Sequence, residues 1–148
     1  MADTIHRTLI IRFSSVGDII LSSLLARVLR KRFPLSTIDF IIKQEYAELM
    51  RYNPAISRLI ELPQDGGFAS LKSVRTQIHS ASYDLLVDIH DSLRSRYVRF
   101  GHPRVVRIKK RKIARFLLVK AKWDVYDWFG GAPGLAVRYL ETVRSLGV

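Results

Sequence analysis

Residues 8–21 read TLIIRFSSVGDIIL. The first half, TLIIRF, is a Leu- and Ile-rich run of the kind expected of a strand buried on both faces. Beyond it Ile20, Leu24 and Val28 recur every fourth residue while Arg27, Arg30 and Lys31 point elsewhere, which predicts a helix over 18–33 stopped by Pro34. The junction is Ser-Ser-Val-Gly-Asp. Ser15 and Asp18 stand at capping-box spacing, and a carboxylate in the first turn also favours the helix dipole. Gly17 lets the backbone approach a neighbour closely or relaxes the turn. A carboxylate at this point has two possible uses, to cap the helix or to take a proton at the mouth of a cleft.

The same alternation runs along the whole chain. TIDFIIK (37–43) predicts a second strand, QEYAELMRY (44–52) a short helix closed by Asn53-Pro54, and SRLIELP (57–63) a third strand. After the turn DGG, residues 68–80 predict a helix. YDLLVDIH (83–90) predicts the fourth strand, SLRSRYVRF (92–100) a helix ending at Gly101, and RVVRIK (104–109) the fifth strand. RKIARFLLVKAKW (111–123) predicts a basic helix, FGGAPG (129–134) a joint, and LAVRYLETVRSL (135–146) a closing helix ended by Gly147. Strands alternating with helices predict an open parallel sheet with helices on both faces, a Rossmann-like α/β fold in one domain of 148 residues. Ligands of such folds bind beyond the carboxyl ends of the strands. The loops that matter are therefore SSVGD, KQE, PQDGG, HDSLRS and KKRK.

Charge narrows the partner. With 25 Lys and Arg against 13 Asp and Glu the formal net charge is +12, which favours an anionic partner: nucleic acid, an anionic membrane surface, or a phosphorylated or carboxylated substrate. No cysteine is present, which excludes disulfides and thiolate metal sites and fits a reducing compartment. The longest uncharged apolar stretch, IILSSLLA, is far short of the ~20 residues of a spanning helix. These features predict a cytoplasmic protein, soluble or peripheral. Neither G-x-G-x-x-G nor G-x-x-x-x-G-K-[ST] occurs, so the dinucleotide and P-loop fingerprints are absent.

Two further stretches carry chemistry. In DIHDSLRS, Asp88, His90, Asp91, Ser92 and Arg94 cluster at a strand end and a helix start. A metal would need three or four ligands, and no second His-rich segment lies nearby, so no metal is expected. Asp88 and His90 alternate on one strand face, which leaves a polar strand end as one reading. The other puts His90, Ser92 and Arg94 on a cleft wall against an anionic or hydroxylated ligand. In the basic helix, Arg111, Arg115 and Lys122 share a face opposite Ile113, Phe116 and Leu117. That face is either solvated or meets lipid headgroups or phosphates. Nucleic acid is not the expected partner, because aromatics are not interleaved with cations as stacking platforms require.

These motifs, in this order, resemble the N-terminal half of the ADP-heptose–lipopolysaccharide heptosyltransferase family. SSVGD matches that family's S-S-x-G-D after the first strand. KRFPLSTIDFIIKQEYAELM resembles its helix, Pro, second strand and acidic helix. YDLLVDIHDSLRS resembles its Y-D-x-hydrophobic-hydrophobic-D-x-Q/H-G-x-x-[RK]-S, and AVRYLETVRSLGV the helix leading into its interdomain joint. The resemblance covers essentially the whole chain. It implies a GT-B glycosyltransferase of two Rossmann-like domains, inverting and without metal or other cofactor, acting in lipopolysaccharide biosynthesis. The aspartate of S-S-x-G-D, the implied base, is Asp18. Arg12, Ser14, Ser15 and Gly17, with His90, Ser92 and Arg94, are the implied acceptor contacts. The implied partners are a nucleotide-sugar donor, held by a C-terminal domain that residues 1–148 do not include, and an anionic lipid-linked sugar acceptor. An anionic membrane surface facing Arg111, Arg115 and Lys122 would place the protein at the inner face of the cytoplasmic membrane. The rival reading is a non-catalytic basic α/β module, or a transferase remnant. The chain departs from the family pattern at Asp91, where the family has Gly, at Leu24, where it has Pro, and in PQDGG, which lacks the basic residues some members carry there.

Overall fold

The structure is a computed structural model and describes residues 5–108 and 134–147. Five parallel strands, β1 (Arg7–Ile11), β2 (Thr37–Lys43), β3 (Arg58–Leu62), β4 (Leu85–Asp88) and β5 (Val105–Arg107), form one sheet in the order β3-β2-β1-β4-β5. The helices are α1 (Val16–Arg32), α2 (Gly67–Ser80), α3 (Leu93–Arg99) and α4 (Leu135–Val143). This is the Rossmann-like α/β fold expected from the alternation. The chain order reverses at β1, between β2 and β4, and ligands of open α/β sheets bind at such a switch point.

Each central strand is buried on both faces, so successive residues feed opposite cores. Ile10, Ile38, Phe40, Ile42, Leu85 and Val87 pack with α1 and α4 on one side. Leu9, Ile11, Ile41 and Leu86 pack with α2 and α3 on the other. A one-residue slip of any strand would exchange these sets, so register is fixed by burial on both sides. One charged exception is Asp39, buried within β2. It accepts from the Tyr83 hydroxyl and pairs with Arg58 Nη2 at 2.9 Å. At the same end of the sheet Asp84 Oδ2 accepts the backbone N–H groups of His6 and Arg7, each at 2.8 Å, and so anchors the start of β1.

Three expectations need correction. The stripe Ile20, Leu24, Val28 is not the buried face of α1. Ile19, Ser22, Leu25, Ala26 and Leu29 are buried, while Ile20 and Leu24 are exposed. Helix 1 is apolar over much of its girth, so four-residue spacing alone could not choose between neighbouring stripes. QEYAEL forms a 3₁₀ segment (Gln44–Leu49) rather than an α-helix, a short connector between β2 and the Asn53-Pro54 bend. The ordered part of α1 starts at Val16, two residues before the expected boundary, since Ser15 is its N-cap. The basic helix with Arg111, Arg115 and Lys122 lies outside the described residues, as does most of FGGAPG. Among the described residues no helix is long and apolar enough to cross a membrane.

Candidate active site at the carboxyl edge of the sheet

The loop between β1 and α1 is built around Asp18. Ser15 caps the helix and Asp18 occupies the third helical position, giving the capping box expected from their spacing. Asp18 Oδ2 accepts from Ser15 Oγ at 3.0 Å and from the Ser15 backbone N–H at 3.5 Å. The same oxygen is bound by Arg12 Nη2 in an ion pair. All of these bonds converge on Oδ2 and, among the described residues, none falls on Oδ1; the side chain is 26 % exposed. The carboxylate therefore caps its helix and keeps one oxygen for solvent or a ligand, which joins the two readings of the motif. Among the described residues nothing lies within 4 Å of a Cβ placed at Gly17. The Ser14–Ser15 peptide is cis.

Arg12 sits beneath this loop. It is buried, and its Nη1 donates to the Ile89 carbonyl at 2.8 Å, tying the end of β1 to the end of β4. The guanidinium, expected to touch an acceptor, is engaged by Asp18 and the Ile89 carbonyl. Charged hydrogen bonds of this kind contribute roughly 1.5–3 kcal/mol each. Behind it lies Tyr139 of α4, fully buried, its ring centroid 6.0 Å from the guanidinium. The Tyr139 hydroxyl has no hydrogen-bond partner among the described residues. Burial, opposed by Arg12 and aided by Asp18, pushes its pKa up to about 12. Sequence reasoning missed Tyr139, because a lone Tyr within an apolar helix carries no local signal.

The loop after β4 is held by Asp88. Its Oδ1 accepts the backbone N–H groups of His90 at 3.0 Å and Asp91 at 2.8 Å, and its Oδ2 pairs with Arg99 Nε at 2.8 Å. Asp91 adopts φ +43°, a left-handed conformation that glycine takes freely and that Asp tolerates better than most residues. This accounts for Gly at the matching position of the resembled motif. The Asp91 carboxylate pairs with Arg96 at 3.2 Å and Arg99 at 3.5 Å, so its charge is matched within α3. Ser92 is the N-cap of α3: its Oγ accepts from Ser95 N at 3.2 Å, while Ser95 Oγ accepts from Ser92 N at 2.8 Å. The hydroxyl expected to meet a ligand also caps the helix by accepting from Ser95 N. His90 lies against Phe13, with ring centroids 4.9 Å apart.

Arg94 is exposed and lines a cavity of about 100 Å³ with Phe13, Lys43, Gln64, Ser70 and Pro63 among its walls. These residues come from the ends of β1, β2 and β3 and the starts of α2 and α3, where ligands of this fold class bind. The cavity brings two cations, Lys43 and Arg94, to one recess suited to an anionic group. Lys43 also pairs with Glu45 at 3.3 Å. Lys43, Gln64 and Ser70 are not among the site residues expected from sequence; Lys43 and Gln64 fall in the strand-end loops KQE and PQDGG, a signal that could have found them, and Ser70 has none.

The site is a switch-point carboxylate with a flanking cationic recess on a Rossmann-like α/β domain. Solved structures of glycosyltransferases share this fold. A glycosyl transferase family 9 protein from Veillonella parvula DSM 2008 matches 97 % of this chain and 42 % of its own at 22 % identity, with a TM-score of 0.70. E. coli heptosyltransferase WaaC with ADP matches 95 % of this chain and 48 % of its own at 20 % identity and a TM-score of 0.65. E. coli ADP-heptose lps heptosyltransferase II matches 68 % of this chain and 30 % of its own at 26 % identity and a TM-score of 0.55. The chain spans less than half the length of these proteins. No family model and no curated protein matches it.

Proposed function

We propose that residues 1–148 are the acceptor-binding half of an inverting glycosyltransferase, with the nucleotide-sugar-binding half outside these residues. The observation that carries this reading is Asp18, whose Oδ2 is fully occupied while Oδ1 stays available beside a strand-end recess. The acceptor hydroxyl is a weak nucleophile, and a carboxylate within hydrogen-bond reach activates it. As the hydroxyl oxygen forms its bond to the anomeric carbon, its proton passes to Asp18 Oδ1. The bond from that carbon to the diphosphate breaks, and the nucleoside diphosphate leaves with the electron pair. Arg12 orients the carboxylate through Oδ2, acting as a positioning residue. Lys43 and Arg94 receive an acidic group of the acceptor. Gly17, Ser14 and His90 border the approach to the carboxylate.

The similarity to heptosyltransferases supports a heptose donor such as ADP-heptose and an acceptor in the lipopolysaccharide inner core. Calorimetric titration of the 148-residue chain tests the division of labour. An acidic inner-core oligosaccharide is expected to bind, and ADP or ADP-heptose is expected to give no saturable heat. Micromolar binding of ADP to this chain alone would put the donor site in the wrong half and overturn the reading.

A further inference from the structure

α2 and α3 turn two matched stripes toward solvent. On α2, Phe68, Lys72, Arg75 and His79 recur at helical three- and four-residue spacing and share a face. On α3 and its C-cap, Leu93, Tyr97 and Phe100 do the same. The other faces are spent on the core through Leu71, Val74 and Ile78 and through Ser95 and Val98. The Phe68 and Tyr97 rings meet at 4.9 Å, and the Arg75 guanidinium lies 4.9 Å from the Tyr97 centroid and 5.6 Å from that of Phe100. The two stripes thus form one continuous surface. An open groove of about 580 Å³, lined by Lys72, Arg75, His79 and Tyr97 among others, runs along it.

Two features of this surface need a partner. Phe68, Leu93 and Phe100 are 64 %, 82 % and 70 % exposed, an apolar cost that a free surface does not recover. Neither helix contains an acidic residue, and among the described residues no carboxylate pairs with Lys72, Arg75 or His79. Exposed rings and aliphatics beside the unneutralised Lys72 and Arg75 match the headgroup layer of an anionic bilayer, where apolar groups enter and cations meet phosphates. A small-molecule site would enclose its ligand, and this groove is open. The rings are engaged with one another and with Arg75 instead of standing free for bases to stack on.

We propose that the outer face of α2 and α3 docks on an anionic phospholipid bilayer, with Phe68, Leu93 and Phe100 at headgroup depth and Lys72, Arg75 and His79 against the lipid phosphates. The proposed lipid-linked acceptor gives this surface a use: the first turns of the same two helices line the recess with Arg94 and Ser70, so docking sets that recess beside the membrane. The site differs from the Arg111, Arg115, Lys122 face suggested by sequence.

Co-sedimentation of the full chain tests this with vesicles of phosphatidylcholine alone and of phosphatidylcholine mixed with phosphatidylglycerol. Binding is expected only with the anionic vesicles and is expected to weaken with salt. Lys72→Gln with Arg75→Gln should lower the partition coefficient by roughly 25-fold, at about 5-fold per cation. Leu93→Ser with Phe100→Ser should lower it by about 10-fold or more. If either double variant melts early, Leu93→Ser alone carries the test, since that side chain barely touches the fold. Unchanged vesicle binding in these variants overturns the proposal. So does binding lost only through Arg111→Gln, Arg115→Gln and Lys122→Gln, or retention on duplex DNA in place of vesicles. Asp18→Asn should leave vesicle binding intact, so a failure here is distinguishable from a failure of the transferase reading.

Discussion

Arg12 and Asp18 close an ion pair across the turn from β1 into α1, and the pair loads one carboxylate oxygen while the other has no hydrogen bond among the described residues. Arg12 simultaneously holds the Ile89 carbonyl, so a single side chain couples the two loops that border the switch point. Arg12→Ala removes both contacts from a buried position. We expect a loss of about 2–3 kcal/mol in urea unfolding, as for charge-assisted bonds. Arg12→Lys, which keeps the charge but cannot span both partners, should fall between the variant and the parent. An Arg12→Ala protein as stable as the parent would show that the pair does not order the loop.

Ser92 and Arg94 separate capping from binding within one motif. Ser92→Ala should cost about 1 kcal/mol of stability by removing the α3 cap. It should leave acceptor affinity unchanged once temperature keeps the variant folded. Arg94→Gln is expected to do the reverse: no change in melting, and roughly 10-fold weaker binding of an acidic oligosaccharide by calorimetry, as for loss of one charge-assisted bond. Equal affinity in Arg94→Gln would remove the recess from the acceptor site.

Asp91 tests the backbone account of the β4–α3 loop. At φ +43° an alanine pays a strain of about 1–2 kcal/mol that glycine avoids. Both substitutions lose the pairing to Arg96 and Arg99. Asp91→Gly should therefore be more stable than Asp91→Ala by about 1 kcal/mol in denaturant unfolding. Equal stabilities would mean that the loop relaxes away from the left-handed conformation.

Much of this architecture is legible in the sequence. The Ile and Leu runs of β1, β2 and β4 announce strands buried twice, and Ser15–Asp18 announces the helix start. The ligand edge follows from parallel topology. What could not be read is which polar residues are spent on structure. Tyr83, Asp84 and Asp88 look like parts of one chemical motif, yet Tyr83 serves Asp39, Asp84 holds the start of β1, and Asp88 folds its own loop. Their partners lie many residues away or on the backbone, where periodicity carries no information. The role of Tyr139 depends on how α4 returns to the sheet beneath Arg12, which is also a tertiary fact.

Tyr83 and Tyr139 give the fold an alkaline limit. Burial and the Asp39 carboxylate push Tyr83 up to about 12, and burial does the same to Tyr139. Their folded-state pKa values lie above the ordinary value near 10, so the folded chain holds these protons after the unfolded chain has released them. The stability they contribute is complete below about pH 10 and is lost as the pH rises from there toward about 12. Phenolate absorbance should show a late phase that disappears in a Tyr83→Phe, Tyr139→Phe protein. A late phase unchanged in that protein would contradict the assignment.

The central claim is that Asp18 takes the acceptor proton through its unbonded oxygen, and Asp18→Asn tests it most directly. The amide retains an oxygen that can accept from Ser15, and even complete loss of a cap costs only about 1 kcal/mol. It cannot accept a proton in the transition state, and loss of a positioned base slows reaction by about 100- to 10,000-fold. The measurement is turnover at saturating acceptor in a protein joining residues 1–148 to a nucleotide-sugar-binding half, beside its melting curve. The account predicts a melting temperature close to the parent's with turnover reduced by that factor; a folded Asp18→Asn enzyme with near-parental turnover would contradict it.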